Sequence, residues 1–139
     1  MIGTLIGRFM TRRAFEAFNR RDLDAFLSGW SDDGVYHYPG NLSVSGEKRG
    51  KAAIRELFEL LFRKFPEMKL NVRRIYMKDI FALGPSNCAA VEFDAEGVRD
   101  DGYKYRNSYV VLLTIKGGKV VEGREFAFDY DKFREAWGE

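Results

Sequence analysis

The chain has 139 residues, 45% of them apolar and 32% charged, which suits one globular core. The net charge is only +2, and acids are interleaved with the basic pairs Arg12-Arg13, Arg20-Arg21 and Arg73-Arg74. No clustered positive face for nucleic acid is expected. The one cysteine, Cys88, rules out an internal disulfide, and the one histidine, His37, leaves no ligand pair spaced for a metal.

In chain order, MIGTLIGRFMTRR is short, and its charges follow its apolar stretch. It reads as neither a signal peptide nor a membrane span, which makes the cytoplasm the expected location. The spacing of Phe9, Met10, Ala14, Phe15, Ala17 and Phe18 predicts an amphipathic helix from Phe9 to Arg21. Asp22 can cap a second helix, DLDAFLSGW, with an apolar stripe of Leu23, Phe26, Leu27 and Trp30. After SDDG, the segment GVYHYP reads as a short strand stopped by Pro39, and NLSVSGEKRG as a loop. KAAIRELFELLFRKF is a long helix with Ile54, Leu57, Phe58, Leu61 and Phe65 on one face, ended by Pro66.

The remainder is β: MKLNVRRIYMKDIFALG, NCAAVEFDAEGVR, YKYRNSYVVLLTIK and KVVEGREFAFDY, with DKFREAWGE as a final helical turn. Cys88, in the run NCAAVEF, is expected to be buried and inert. Helices gathered early and strands in a consecutive run imply an α+β fold, a curved antiparallel sheet with helices on one face, in one domain over residues 1–139. Twelve Phe, seven Tyr and two Trp allow either a Phe-rich core or an aromatic-lined hollow.

The last hairpin decides where its carboxylate lies. On the strand before the turn, Asn107, Tyr109, Val111, Leu113 and Ile115 share the more apolar face, which should look inward. A two-residue Gly-Gly turn would set Glu122, Arg124 and Phe126 opposite them. A three-residue Lys-Gly-Gly turn shifts the register by one and brings Val121, Gly123, Glu125 and Ala127 inward. Composition does not choose between the two.

Several stretches resemble one family when taken in order. They are the helix before FNRRDLDAF, the acidic pair, strand and proline of SDDGVYHYPG, the helix start in SGEKRGKAAIREL, and the Asn-x-Tyr strand, turn and Arg-Glu-Phe of YRNSYVVLLTIKGGKVVEGREF. Together they are similar to the nuclear transport factor 2-like superfamily, also called the SnoaL-like or ketosteroid isomerase-like fold. The resemblance implies a cone-shaped α+β barrel, a curved antiparallel sheet wrapped around three N-terminal helices with an apolar cavity between them. It also implies a homodimer formed through the outer sheet face.

Specific family chemistries fit unevenly. The ketosteroid isomerase base position holds Tyr38, and its helical Tyr and second Asp fall at Ala14 and Val111. The epoxide hydrolases of this fold match at Glu125 and at Asp94, but Glu92 stands where their Arg should be. Dehydratase chemistry with paired histidines has only His37. The SnoaL-like members are nearest, and in them the last-strand acid points into the cavity, which favours the register that turns Glu125 inward. The resemblance then implies a pocket for a small hydrophobic, oxygenated molecule and acid/base chemistry with neither cofactor nor metal. Glu125 would transfer the proton and Tyr38 and Asn107 would position oxygens, while Trp30, Tyr36, Phe58, Phe62 and Tyr109 would line the pocket. Asp94 is carried as a further ligand contact, although alternation with Val91 and Phe93 points it outward. The alternative is a non-catalytic ligand-binding or dimeric assembly module.

Overall fold

The computed structural model describes residues 2–78 and 86–139, with side chains from residue 7 onward. Helix α1 (Ile2–Asn19) and helix α2 (Leu23–Ser28) lead into strand β1 (Trp30–Tyr38) and the short strand β2 (Gly46–Arg49). Helix α3 (Lys51–Lys64) follows, then β3 (Lys69–Met77), β4 (Ser86–Val98), β5 (Lys104–Lys116), β6 (Lys119–Ala127) and helix α4 (Tyr130–Trp137).

Local chemistry sets the helix ends. The Asp22 carboxylate accepts from the Ala25 amide at 3.0 Å and the Asp129 carboxylate from the Lys132 amide at 3.0 Å, so α2 and α4 each begin on a side-chain cap. The α4 helix stops at Gly138, whose φ of +76° closes the last turn in the left-handed conformation. Each helix buries its apolar stripe: Ala17 and Phe18 from α1, Ile54, Leu57, Phe58 and Leu61 from α3, and Phe133, Ala136 and Trp137 from α4. Phe18, Phe65 and Phe133 are fully enclosed, and each such ring contributes roughly 2–3 kcal/mol of burial.

The strand order is β2-β1-β6-β5-β4-β3. The unclosed sheet curves round the helices as a cone, antiparallel throughout except where β1 runs parallel to β6. Inward residues alternate on the long strands, with Ala89, Val91, Phe93 and Ala95 from β4 and Tyr105, Asn107, Tyr109 and Val111 from β5 all buried. Asn19 stitches the end of α1 to the sheet, exchanging hydrogen bonds of 2.8 and 2.9 Å with the backbone of Leu70.

The β5–β6 hairpin resolves the two registers in an unexpected way. Lys116 pairs with Lys119, so the turn is the two-residue Gly117-Gly118 type, with φ of +56° and +76° that only glycine adopts readily. The register nevertheless shifts, because Ile115 faces Val120 whereas Thr114 faces Glu122, leaving Val121 as an extra residue. This bulge places Glu125 opposite Val111 on the inner face and sends Arg124, Phe126 and Phe128 outward. The parallel partner is irregular at the same height, since Trp30 pairs with Val120 and the next pair is Val35 with Glu122.

Three expectations change, and a fourth falls outside the described residues. Trp30 opens β1 instead of closing α2, and Gly46–Arg49 forms an edge strand within the stretch read as loop. Cys88 is exposed, because β4 turns Ala89 and Val91 inward and leaves position 88 on the outer face. The predicted extension of β3 through Asp79–Gly84 lies outside the described residues.

Candidate functional site

The site is built where the bulge turns β6 inward. Between α1 and the inner faces of β5 and β6 lies a hollow of about 110 Å³. Its walls are Phe15, Trp30, Phe58, Phe93, Val111 and Leu113. Gly123 makes part of this shape, because a Cβ there would come within 2.9 Å of the Trp30 ring. Deeper in the cone lies a second hollow of about 30 Å³, walled in part by Tyr38, Tyr105, Tyr109 and Trp137. Glu125, Phe18, Phe58, Leu70 and Phe93 border both hollows, so Glu125 stands at their junction.

Glu125 is half-buried and borders both hollows. Tyr36 donates its phenolic hydrogen to Glu125 Oε1 at 2.5 Å. Burial pushes the Glu125 carboxyl up to about 7, and the Tyr36 hydrogen bond only partly opposes that rise. Among the described residues no cation relieves it, since the neighbouring Arg124 points to the outer face with its guanidinium 5.7 Å from the Phe126 ring. Burial also raises the phenols of Tyr36, Tyr38 and Tyr109 well above their ordinary range, and Tyr105 to about 12. Glu125 is therefore poised between its two charge states near neutrality, among hydroxyls that stay protonated.

The structure brings together Glu125, Tyr36, Tyr38, Tyr109, Trp30 and Phe58 around these hollows. It does not bring the other three. Phe62 lines neither hollow; it sits behind Phe18, 4.9 Å from its ring, and lies under the Arg21 guanidinium at 4.7 Å. Asn107 is buried, but its amide is engaged, donating to the Asp129 carbonyl at 2.8 Å and accepting from the Asp129 amide at 3.2 Å. It pins the start of α4 and is not free to hold a ligand. Asp94 lies on the outer face, where Ser108 Oγ donates to it at 2.7 Å and Arg73 Nε at 2.6 Å. The strand's alternation with Val91 and Phe93 decides that placement. His37 is likewise outward, its Nε2 3.4 Å from Glu122.

Some wall residues escape the sequence reading. Tyr105 joins Tyr109 through a hydrogen bond between their hydroxyls, and Trp137 reaches the deep hollow from α4, which reads in sequence as a mere terminal turn. Thr11 faces the large hollow from α1, donating to the Gly7 carbonyl at 2.8 Å. The one signal for Tyr105 was its period-two spacing with Asn107 and Tyr109. Among the described residues no three His, Cys, Asp or Glu side chains gather as metal ligands, and no helix is long and apolar enough to cross a membrane.

Comparison with known proteins gives a consistent picture. The family model for the SnoaL-like domain matches residues 11–123, stopping just short of Glu125. The uncharacterised protein YesE of Bacillus subtilis (strain 168) is 24% identical over 119 residues, covering 84% of this chain and 78% of that protein. Bal32a, from a soil-derived mobile gene cassette, superposes with a TM-score of 0.85 at 20% identity over 96% of this chain and 98% of its own. A protein from Jannaschia sp. CCS1, assigned as a SnoaL-like polyketide cyclase, superposes with a TM-score of 0.73 at 16% identity over 94% of this chain and 90% of its own. At these identities the solved structures establish a shared fold.

Proposed function

The chain belongs to the SnoaL-like domain family, and on that premise we propose that it performs cofactor-free acid/base chemistry on a small apolar molecule carrying oxygen. The observation that carries this reading is Glu125, a carboxyl raised to about 7 at the junction of two apolar hollows, with no compensating cation among the described residues. A proton-transfer group works best when its pKa lies near the working pH. Tyr36 fixes one carboxyl oxygen, and the Tyr38 phenol supplies a neutral donor beside it. The large hollow, at about 110 Å³, suits one ring-sized group, since an engineered apolar cavity of about 150 Å³ accepts benzene. The assignment of the Jannaschia neighbour as a polyketide cyclase supports an oxygenated apolar substrate of the isomerase, cyclase, dehydratase or hydrolase type.

The test is Glu125→Gln, which keeps the shape of the side chain and its ability to accept from Tyr36. Turnover found in a screen of cyclic ketones and phenols should fall about 10²–10⁴-fold with thermal stability retained. Full turnover in the variant overturns the catalytic role, and bound ligand without product in either protein leaves a ligand-binding module instead.

A homodimer through the outer sheet face is the second part of this proposal. Leu112, Phe126 and Phe128 are 42%, 46% and 62% exposed on that face and form an apolar stripe beyond what scattered surface residues account for. Sedimentation of wild type against Phe126→Ser/Phe128→Ser tests it: a dimer that becomes a monomer is expected, and a wild-type monomer refutes it.

A further inference from the structure

The deep hollow carries an inference that comes from counting hydrogens. Tyr38, Tyr105 and Tyr109 are at most 7% exposed, and buried hydroxyls are seldom left without partners. The Trp137 indole packs edge-on against Tyr38 at 5.9 Å, and the Tyr38 hydrogen meets no acceptor among the described residues. Tyr105 accepts the Asn107 amide hydrogen at 3.0 Å and shares one hydrogen bond with Tyr109. That shared bond uses one of the pair's two phenolic hydrogens and leaves the other without an acceptor. On the acceptor side, Glu125 Oε1 is taken by Tyr36, whereas Oε2 receives no hydrogen bond from the described residues. Two donors and one acceptor thus remain, and all of their side chains border one hollow of about 30 Å³.

We infer that this hollow is a single-oxygen site, filled by one ordered water that accepts from Tyr38 and from the Tyr105–Tyr109 pair and donates to Glu125. A water can be held in a space of about 10–15 Å³ or more and in proteins makes about three hydrogen bonds, which matches both the volume and the partners left over. The site is donor-rich, so the ligand group it takes in place of water is an acceptor oxygen of carbonyl type, borne by a ring in the adjoining hollow. That second half rests on the ligand-binding reading above, whereas the water itself does not.

The experiment uses the full chain. An atomic-resolution crystal structure should show one solvent oxygen within hydrogen-bonding distance of Tyr38 Oη, a hydroxyl of the Tyr105–Tyr109 pair and Glu125 Oε2. A deep hollow without density, or Tyr38 bonded directly to Glu125, overturns the site. In Tyr38→Phe the oxygen should be lost and the NMR titration midpoint of Glu125 should rise, because a donor to the carboxylate goes with it. A purely structural Tyr38 would leave that midpoint in place, as Tyr130→Phe, outside both hollows, is expected to do. For the ligand half, cyclohexanone should bind wild type roughly tenfold more tightly than methylcyclohexane, and the preference should vanish in Tyr38→Phe. Equal binding of the two probes to wild type, or binding of neither, overturns that half. Ketone bound with the preference but never converted overturns catalysis and leaves the oxygen site standing.

Discussion

Glu125 and Asp94 are two carboxylates of one sheet with opposite fates. Asp94, on the outer face of β4, is held by Ser108 at 2.7 Å and by Arg73 at 2.5 Å, with Arg106 at 3.8 Å. The Ser108 hydrogen bond, more than the arginines, keeps its pKa below the usual aspartate range against the cost of burial. Glu125, on the inner face of β6, has one phenol and no cation beside it among the described residues, and burial lifts it to about 7. The side chains differ by one methylene, so the partners decide the chemistry. Asp94 is a tie between strands β3, β4 and β5, while Glu125 is a carboxyl held by Tyr36 at the border of two hollows.

The comparison is broken or sharpened most strongly by pH. A carboxyl whose folded pKa is raised stabilises the fold in acid, and the benefit is lost as pH climbs from the ordinary carboxylate range through about 7. Wild type should therefore lose up to about 3 kcal/mol of unfolding free energy between about pH 5 and pH 9, and Glu125→Gln should stay nearly flat. Equal slopes in urea titrations of the two proteins would mean that Glu125 does not carry the effect. The next largest change comes from giving Glu125 the cation it lacks. Val111 faces it across the β5–β6 pair, and Val111→Lys should lower the Glu125 midpoint by about 1–3 pH units, read by carbon NMR. An unmoved midpoint would place the new ammonium away from the carboxylate.

Smaller effects are expected at the outer site. Arg73 and Arg106 are 55% and 67% exposed, so solvent screens their pairing with Asp94. Ser108→Ala should cost about 1 kcal/mol at neutral pH. Asp94 has a depressed folded pKa, so its contribution is present above the ordinary aspartate value and disappears as pH falls through the folded one. The cost of Ser108→Ala should accordingly shrink in strong acid, and a cost that is constant with pH would sever Ser108 from the ionised carboxylate. The smallest effect belongs to Arg124→Met. Arg124 adjoins Glu125 in sequence but faces outward over Phe126, so the Glu125 midpoint should not move and stability should change by less than about 0.5 kcal/mol. A clear drop of the midpoint towards the ordinary range on restoring arginine would contradict the separation of the two faces.

Local periodicity carried the order of the elements, the inward faces of α1 and α3, and the alternation of Val91 and Phe93 against Asp94, because side-chain direction repeats within two to four residues. The Asn-x-Tyr strand and the Arg-Glu-Phe segment also marked where a pocket wall would stand. What lay beyond the sequence was set by partners far along the chain. Glu125 looks inward because of an extra residue at Val121, opposite an irregular β1, and neither a Gly-Gly turn nor composition announces it. Asn107 is committed to Asp129, 22 residues away, and Glu125 to Tyr36, 89 residues away. Phe62 occupies a helical position that serves a pocket or an outer contact equally well until Arg21 covers it. A sequence lists which groups can ionise or donate. Which of them is enclosed, and which finds a partner, depends on how distant strands come into register, and that is a property of the closed tertiary structure alone.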